Sequence, residues 1–213
     1  MAWIHRYLTD KEIEQISEAI HKAEEHTDGE IVPVIVKRSS TVGHVPLTLT
    51  LLILLVLVIA ELPFSDILWV TPWVYVWPFL VVAIYYVSFA LAKFPWIQKV
   101  MVPERDELDQ VHQRAHLEFF LNKINRTKAN TGILIFISVM ERKAVILADH
   151  GINNKLPPET WNEILAKLGE QLNKSNWAFG FTEAIEACGH HLKQHFPMTD
   201  GGDNQLKNQL VIR

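Results

Sequence analysis

The sequence predicts an α/β fold, with helices packed on a small mixed β-sheet and a two-helix transmembrane hairpin inserted after the first strand. Three observations carry that expectation. Apolar stripes at helical spacing alternate with short β-branched runs, in the order helix, strand, insertion, helix, strand, strand, helix, helix. The runs Gly132–Met140 and Ala144–Ala148 are separated only by Glu141-Arg142-Lys143, which makes them an antiparallel β-hairpin. From Val45 to Ala92 the chain runs without a Lys, Arg or His, and its only acids there, Glu61 and Asp66, sit between two apolar segments.

The elements follow in order. Thr9 and Glu12 form a capping box for a first helix, with Asp10 in the first turn, where the helix dipole favours a negative charge. Ile13, Ile16, Ala19, Ile20 and Ala23 are its apolar stripe, and Gly29 is its stop. Glu30–Lys37 reads as a strand in which Pro33, lacking an N–H, demands an edge position or a bulge. Segments Val45–Leu62 and Ile67–Ala92 read as membrane spans joined by the turn Glu61-Leu62-Pro63-Phe64-Ser65-Asp66, because a bilayer core needs about 20 apolar residues. Lys37 and Arg38 precede the hairpin and Lys93, Lys99 and Arg105 follow it. The positive-inside rule then puts both chain ends in the cytoplasm, as for a multi-pass protein of the bacterial inner membrane. Trp69, Trp73, Trp77 and Trp96 form the interfacial belt; Pro72 falls near the start of the second span and Pro78 kinks it.

A second amphipathic helix is expected from Pro103 to Asn125, with Leu108, Val111, Ala115 and Phe119 inward. After the β-hairpin, Pro157 and Pro158 suit the first turn of a helix with Trp161, Ile164, Leu165, Leu168 and Leu172 on one face. A last helix aligns Phe181, Ile185, Cys188, Leu192 and Phe196, and Pro197 ends it. The tail from Met198 to Arg213 is polar except for Leu210-Val211-Ile212, and is expected to be mobile unless docked. The chain thus divides into residues 1–44, the hairpin 45–92, the remainder of the domain 93–197 and the tail 198–213.

Net charge is −4, and with the two hairpin acids removed the rest carries 20 cations against 22 acids. No basic stripe with interleaved aromatics is present, which argues against nucleic acid as a partner. One cysteine, Cys188, excludes an internal disulfide, and its place on an apolar stripe favours packing. It has Gln194 where a phosphate-loop nucleophile needs Arg, and no nucleophile elbow, nucleotide loop or paired D-x-D motif occurs.

The opening LTDKEIEQISEAIHKAEEHTDGEIVPVIV resembles the start of TPM domains, and TGILIFISVMERKAVILADHGI resembles their central β-hairpin. The W-x-x-I helix at Trp161, the G-x-x-E-A-I stretch at Gly180–Ile185 and the HFP sequence at His195 are similar as well. The likeness is to bacterial members with a membrane hairpin after the first strand. It implies an α/β sandwich tethered to a membrane. Through a plant thylakoid-lumen branch it also implies acid phosphatase activity, and for some members calcium binding. The glycine-rich turn often written G-x-G in the family is Asp149-His150-Gly151 here, and Arg142 and Gly151 correspond.

Asp149, His150 and Arg142, with Glu141, are the candidate catalytic cluster: Asp149 and His150 to orient water or a cation, Arg142 to place an anion. Their structural reading is a turn and a loop cap. His112 with His116, and His191 with His195, share helix faces at i, i+4 and are candidate metal ligands together with Asp149; the structural reading makes them boundary residues of apolar stripes. No cofactor is evident beyond a divalent cation, calcium or zinc, at those positions. The tail sequence Asp200-Gly-Gly-Asp203-Asn204 reads as a polar linker rather than a calcium loop. The expected partners are the lipid bilayer and a membrane protein. Three functions stay open: an interaction or accessory module at the cytoplasmic membrane face serving membrane-protein maintenance, a metal-assisted phosphatase centred on Asp149, and a histidine-based metal- or pH-responsive module.

Overall fold

The computed structural model describes residues 3–40, 45–61, 77–94, 96–97, 101, 104–199 and 205–213. The turn from Leu62 to Asp66, with Trp69, Pro72 and Trp73, lies outside the described residues, as do Lys99 and Asp200–Asn204. The chain divides into two units: residues 1–40 with 108–213, and residues 41–107.

In the larger unit a four-stranded mixed sheet carries helices on both faces. Its strands are β1 (Glu30–Val36), β2 (Gly132–Ser138), β3 (Lys143–Ala148) and β4 (Val211–Ile212), ordered β3-β2-β1-β4. β1 is parallel to β2 and to β4, and β2 is antiparallel to β3. The helices are α1 (Asp10–Glu24), α4 (Glu104–Leu121, belonging to this unit from Leu108), the short α5 (His150–Asn153), α6 (Thr160–Asn173) and α7 (Trp177–His195).

Alternation explains why β1 and β2 are apolar apart from Glu30 and Ser138 at their ends. Ile31 and Ile35 of β1, with Ile133, Ile135 and Ile137 of β2, face the cluster built by α1, α6 and α7. Val32, Val34 and Val36, with Leu134 and Phe136, face Val111, Ala115 and Phe119 of α4. A strand buried on both faces has no polar position left, so its sequence reads as a continuous run. The capping box at the start of α1 is formed: the Thr9 N–H donates to the Glu12 carboxylate at 2.7 Å, and the Glu12 N–H donates to the Thr9 hydroxyl at 3.4 Å. Gly189 of α7 lies so close to Ala23 of α1 that a Cβ would sit 2.7 Å from the alanine methyl.

Four expectations change. The transmembrane hairpin is the first. Helices α2 (Val45–Glu61, 17 residues) and α3 (Trp77–Leu91, 15 residues) form the second unit. At 1.5 Å per residue they rise about 26 and 23 Å, short of a hydrocarbon core of about 30 Å. Among the described residues no helix is long and apolar enough to cross a membrane. The sequence reading took apolar length as helix length, whereas the described helices are Val45–Glu61 and Trp77–Leu91. The inner-membrane, multi-pass placement and the lipid bilayer as partner rested on that length and are withdrawn with it. Within this unit Val45, Ala92 and Ile97 are buried together, while Leu51, Leu55, Phe79 and Tyr86 are exposed.

Pro33 is the second correction, since β1 is not the sheet edge. Its odd-numbered residues direct their peptide groups toward β4: the Arg213 N–H donates to the Ile35 carbonyl at 3.0 Å, and the Lys37 N–H to the Arg213 carbonyl at 3.3 Å. Ile31 and Pro33 face the same side, ahead of the point where β4 begins. Pro33 has no donor to leave unpaired there, and the Ile31 N–H is taken by Glu24 at 2.7 Å. Third, the end of the tail is docked: Leu210 is buried and Val211-Ile212 extend the sheet. Fourth, Leu108 is 39% exposed and so stands off the inner face of α4, which begins at Val111.

Candidate functional site

The sheet separates the residues that sequence proximity had grouped. β3 runs from Lys143 to Ala148, so Arg142 precedes one end of it and Asp149 follows the other, a separation of roughly 23 Å at about 3.3 Å per residue. Arg142 is exposed, with a φ of 52° in the β2–β3 turn. Glu141 beside it is buried and accepts hydrogen bonds from the Ser39 N–H (3.2 Å), the Ser40 N–H (3.0 Å) and the hydroxyls of Ser40 and Ser138. Burial alone would raise its carboxyl, but those donors together hold it below the usual carboxylate range. Glu141 is thus a latch tying the end of β1 to the β2–β3 turn.

Asp149 caps α5: its Oδ1 accepts from the His150 N–H at 2.7 Å, and the His150 ring nitrogen Nδ1 lies 3.4 Å from the same oxygen. Its Oδ2 is buried without a hydrogen-bond partner. Gly151, one turn on, presses against the loop before β2, where a Cβ would meet the carbonyl oxygens of Ala129 and Asn130 at 2.6 Å. His112 and His116 are both exposed on α4. His191 packs edge-on against Trp161, at 6.2 Å between ring centres; burial lowers its pKa, and nearby His190 and His195 add to that. His195 is half-buried beside it on α7. Among the described residues no three His, Cys, Asp or Glu side chains converge as a metal site. Cys188 is fully buried and its thiol is pushed up to about 12, which keeps it protonated and inert.

The feature that sequence reasoning missed lies at the amino-terminal end of β1. A cavity of about 310 Å³ opens between the end of α1, the loop before β2 and the docked tail, and Glu24, Asp28, Glu30, Lys128, Thr199 and Gln205 line it. The Asp28 carboxylate accepts from the Thr199 N–H and hydroxyl, at 3.2 and 2.6 Å. The Glu30 carboxylate accepts from the Gln205 N–H (2.8 Å) and the Leu206 N–H (3.3 Å), and burial raises it above the usual carboxylate range against those two donors. Glu24 is 9% exposed: its Oε1 accepts from the Ile31 N–H at 2.7 Å, and Asn208 of the tail hydrogen-bonds to the same buried carboxyl. Burial pushes this carboxyl up to about 8; hydrogen bonding from Ile31 and Asn208 opposes the rise, and the charge of Glu30 adds to it. A signal existed in the sequence, since Ile16, Ile20 and Glu24 are spaced i, i+4 and put an acid on the core-facing stripe of α1.

Residues 97–191, which include α4, the β2–β3 hairpin, α6 and most of α7, match the family model described as the TPM domain. No curated protein matches the sequence. Over the whole length of both chains, the protein superposes on the NMR structure of BA42 protein from the psychrophilic bacterium Bizionia argentinensis, with a TM-score of 0.62 and 21% identity. At that identity the likeness fixes the fold alone. The resemblance to TPM domains therefore stands, while the membrane-hairpin branch does not: the full-length match to BA42 and the shortness of α2 and α3 both speak against it.

Proposed function

We propose that this protein, whose residues 97–191 match the TPM domain, is a binding module, an interaction or accessory protein that takes its ligand into the cavity between α1, β1 and the docked tail. One observation carries the reading. Glu24, 9% exposed, sets its carboxyl into the wall of a cavity of about 310 Å³, with Asp28 and Glu30 beside it. A concave site with a few convergent polar groups and a carboxyl whose acidity burial has shifted is where a small ligand is expected to bind. The other well-formed carboxylate, Glu141, has its donors supplied by the chain itself. The test is NMR titration of the full chain with methylguanidinium, propylammonium, acetate and inorganic phosphate. The expected result is amide shifts at Gly29, Ile31, Gln205 and Leu206 with at least one probe. Silence at all four amides with every probe overturns the reading.

A second reading has its own observation. Asp149 keeps Oδ2 without a partner beside the His150 ring, the pairing that a phosphatase centred on Asp149 would use to orient water. Hydrolysis of a generic phosphomonoester that disappears in Asp149→Asn would favour it over the binding module. Equal rates in the two proteins would discard it.

A further inference from the structure

We propose that the open side of β1 is a strand-binding site, which the tail of a second copy of this chain fills in exchange for its own. The site is built by α1, β1 and α4. At its start the Glu30 carboxylate accepts from the N–H groups of Gln205 and Leu206, and Glu24 hydrogen-bonds to Asn208. At its far end the Ile35 carbonyl accepts from the Arg213 N–H at 3.0 Å, and the Lys37 N–H donates to the Arg213 carbonyl at 3.3 Å. Between them Leu210 is buried, in the same apolar cluster as Ile31 and Ile35. Glu118 of α4, fully buried, holds Arg114 with one oxygen at 2.7 Å and the Arg213 guanidinium with the other at 3.5 Å. Main-chain pairing, an apolar anchor and a charged end are how an added strand is bound and read.

The tail is held lightly compared with the sheet it joins. β2 pairs with β1 through seven residues, β4 through two. From Gln205 to Arg213 only Leu210 is buried, whereas every residue of β1 and β2 is. A segment with few buried apolar groups opens at a small fraction of the free energy that unfolds the domain. Its departure leaves the Ile35 carbonyl and the Lys37 N–H without partners on an open strand edge, the template on which another chain pairs. The segment that meets all of these groups in register is residues 205–213 themselves, so the occupant is the same stretch of a second copy. Exchange between two copies is reciprocal, each edge receiving the other's tail, and closes as a twofold dimer. Gln205 and Asn208 line the cavity, so in that dimer each cavity takes two of its lining residues from the other copy. The exchange does not depend on what the cavity binds.

Two full-length forms test it, one carrying Ile35→Cys and the other Ile212→Cys. The two positions are register partners across β1 and β4, and Cys188 is buried and stays out of the reaction. Neither form can link these positions within one chain. Mixed under mild oxidation, they should give a covalent dimer joined through positions 35 and 212. Leu210→Ala in the form that donates the tail should lower the yield by about tenfold or more, because the apolar anchor is lost. Should Ile35→Cys fail to fold, the natural chain is titrated with the peptide of residues 205–213 and followed by NMR. Peptide on the order of millimolar, the effective concentration of a tethered segment, should shift the amides of Gln205 to Arg213 and leave those of β2 in place. A folded pair that forms no link between positions 35 and 212, a link whose yield ignores Leu210→Ala, or tail amides that stay unmoved in the peptide titration overturns the inference.

Discussion

Replacing Glu24 by Gln should change how the stability of this protein depends on pH. In the fold the Glu24 carboxyl is held up to about 8, from an ordinary value of 4.5. The folded chain therefore keeps a proton that the unfolded chain gives up between those values, and the group's favourable contribution is complete below pH 4.5 and is lost as pH rises through about 8. At about 1.4 kcal/mol per unit the full swing is on the order of 5 kcal/mol, and water entering the cavity reduces it toward roughly half. Lowering of His191 acts in the opposite direction just below its ordinary value of 6.5, because the unfolded imidazole gains a proton there that the folded one refuses. Glu141, held low, contributes stability that is lost only below the ordinary carboxylate range. Subtracting the Glu24→Gln curve from that of the natural chain cancels both. Urea unfolding followed by tryptophan fluorescence at steps from about pH 5 to 9 gives the two curves. The natural chain should lose about 2–5 kcal/mol relative to the variant across that range. A flat difference, or one that grows in favour of the natural chain, would refute the burial argument.

Three further substitutions test what holds the sheet at its two ends. Glu141→Ala removes the acceptor shared by Ser39, Ser40 and Ser138 and should cost about 3 kcal/mol in urea unfolding, since it strands two backbone N–H groups; Ser138→Ala should cost about 1 kcal/mol. Gly151→Ala drives a methyl against the Ala129 and Asn130 carbonyls and should lower stability by about 1–3 kcal/mol, with the largest amide shifts in the loop before β2.

Much of the fold is legible in local sequence because local physics sets it. The capping box at Thr9, the antiparallel β2–β3 pair and the stripes of α6 and α7 all follow from spacing that a short window contains. The hairpin reading failed because hydropathy counts apolar residues, whereas a span needs helical rise, and α2 and α3 supply too little of it. The site was harder to read. Arg142 and Asp149 are seven positions apart, close enough in sequence to look like one cluster, yet an extended strand carries them to opposite ends of the sheet. Glu24 and Glu30 are six positions apart, but Asn208 comes from the far end of the chain, and no local pattern announces their meeting.

By itself the sequence determined the long helices and the first three strands of the sheet, because capping, turn chemistry and apolar periodicity act over a few residues. It also determined that β2 would be buried on both faces, since its run is apolar up to Ser138, whereas the same reading put β1 at an edge or a bulge. Only the tertiary structure decided that the tail returns as β4, that Pro33 lies beside the place where that strand begins, and that Glu24 is stripped of water in a cavity. Each of those depends on groups far apart in the chain meeting in space, and desolvation, which gives Glu24 its unusual acidity, exists only after they have met.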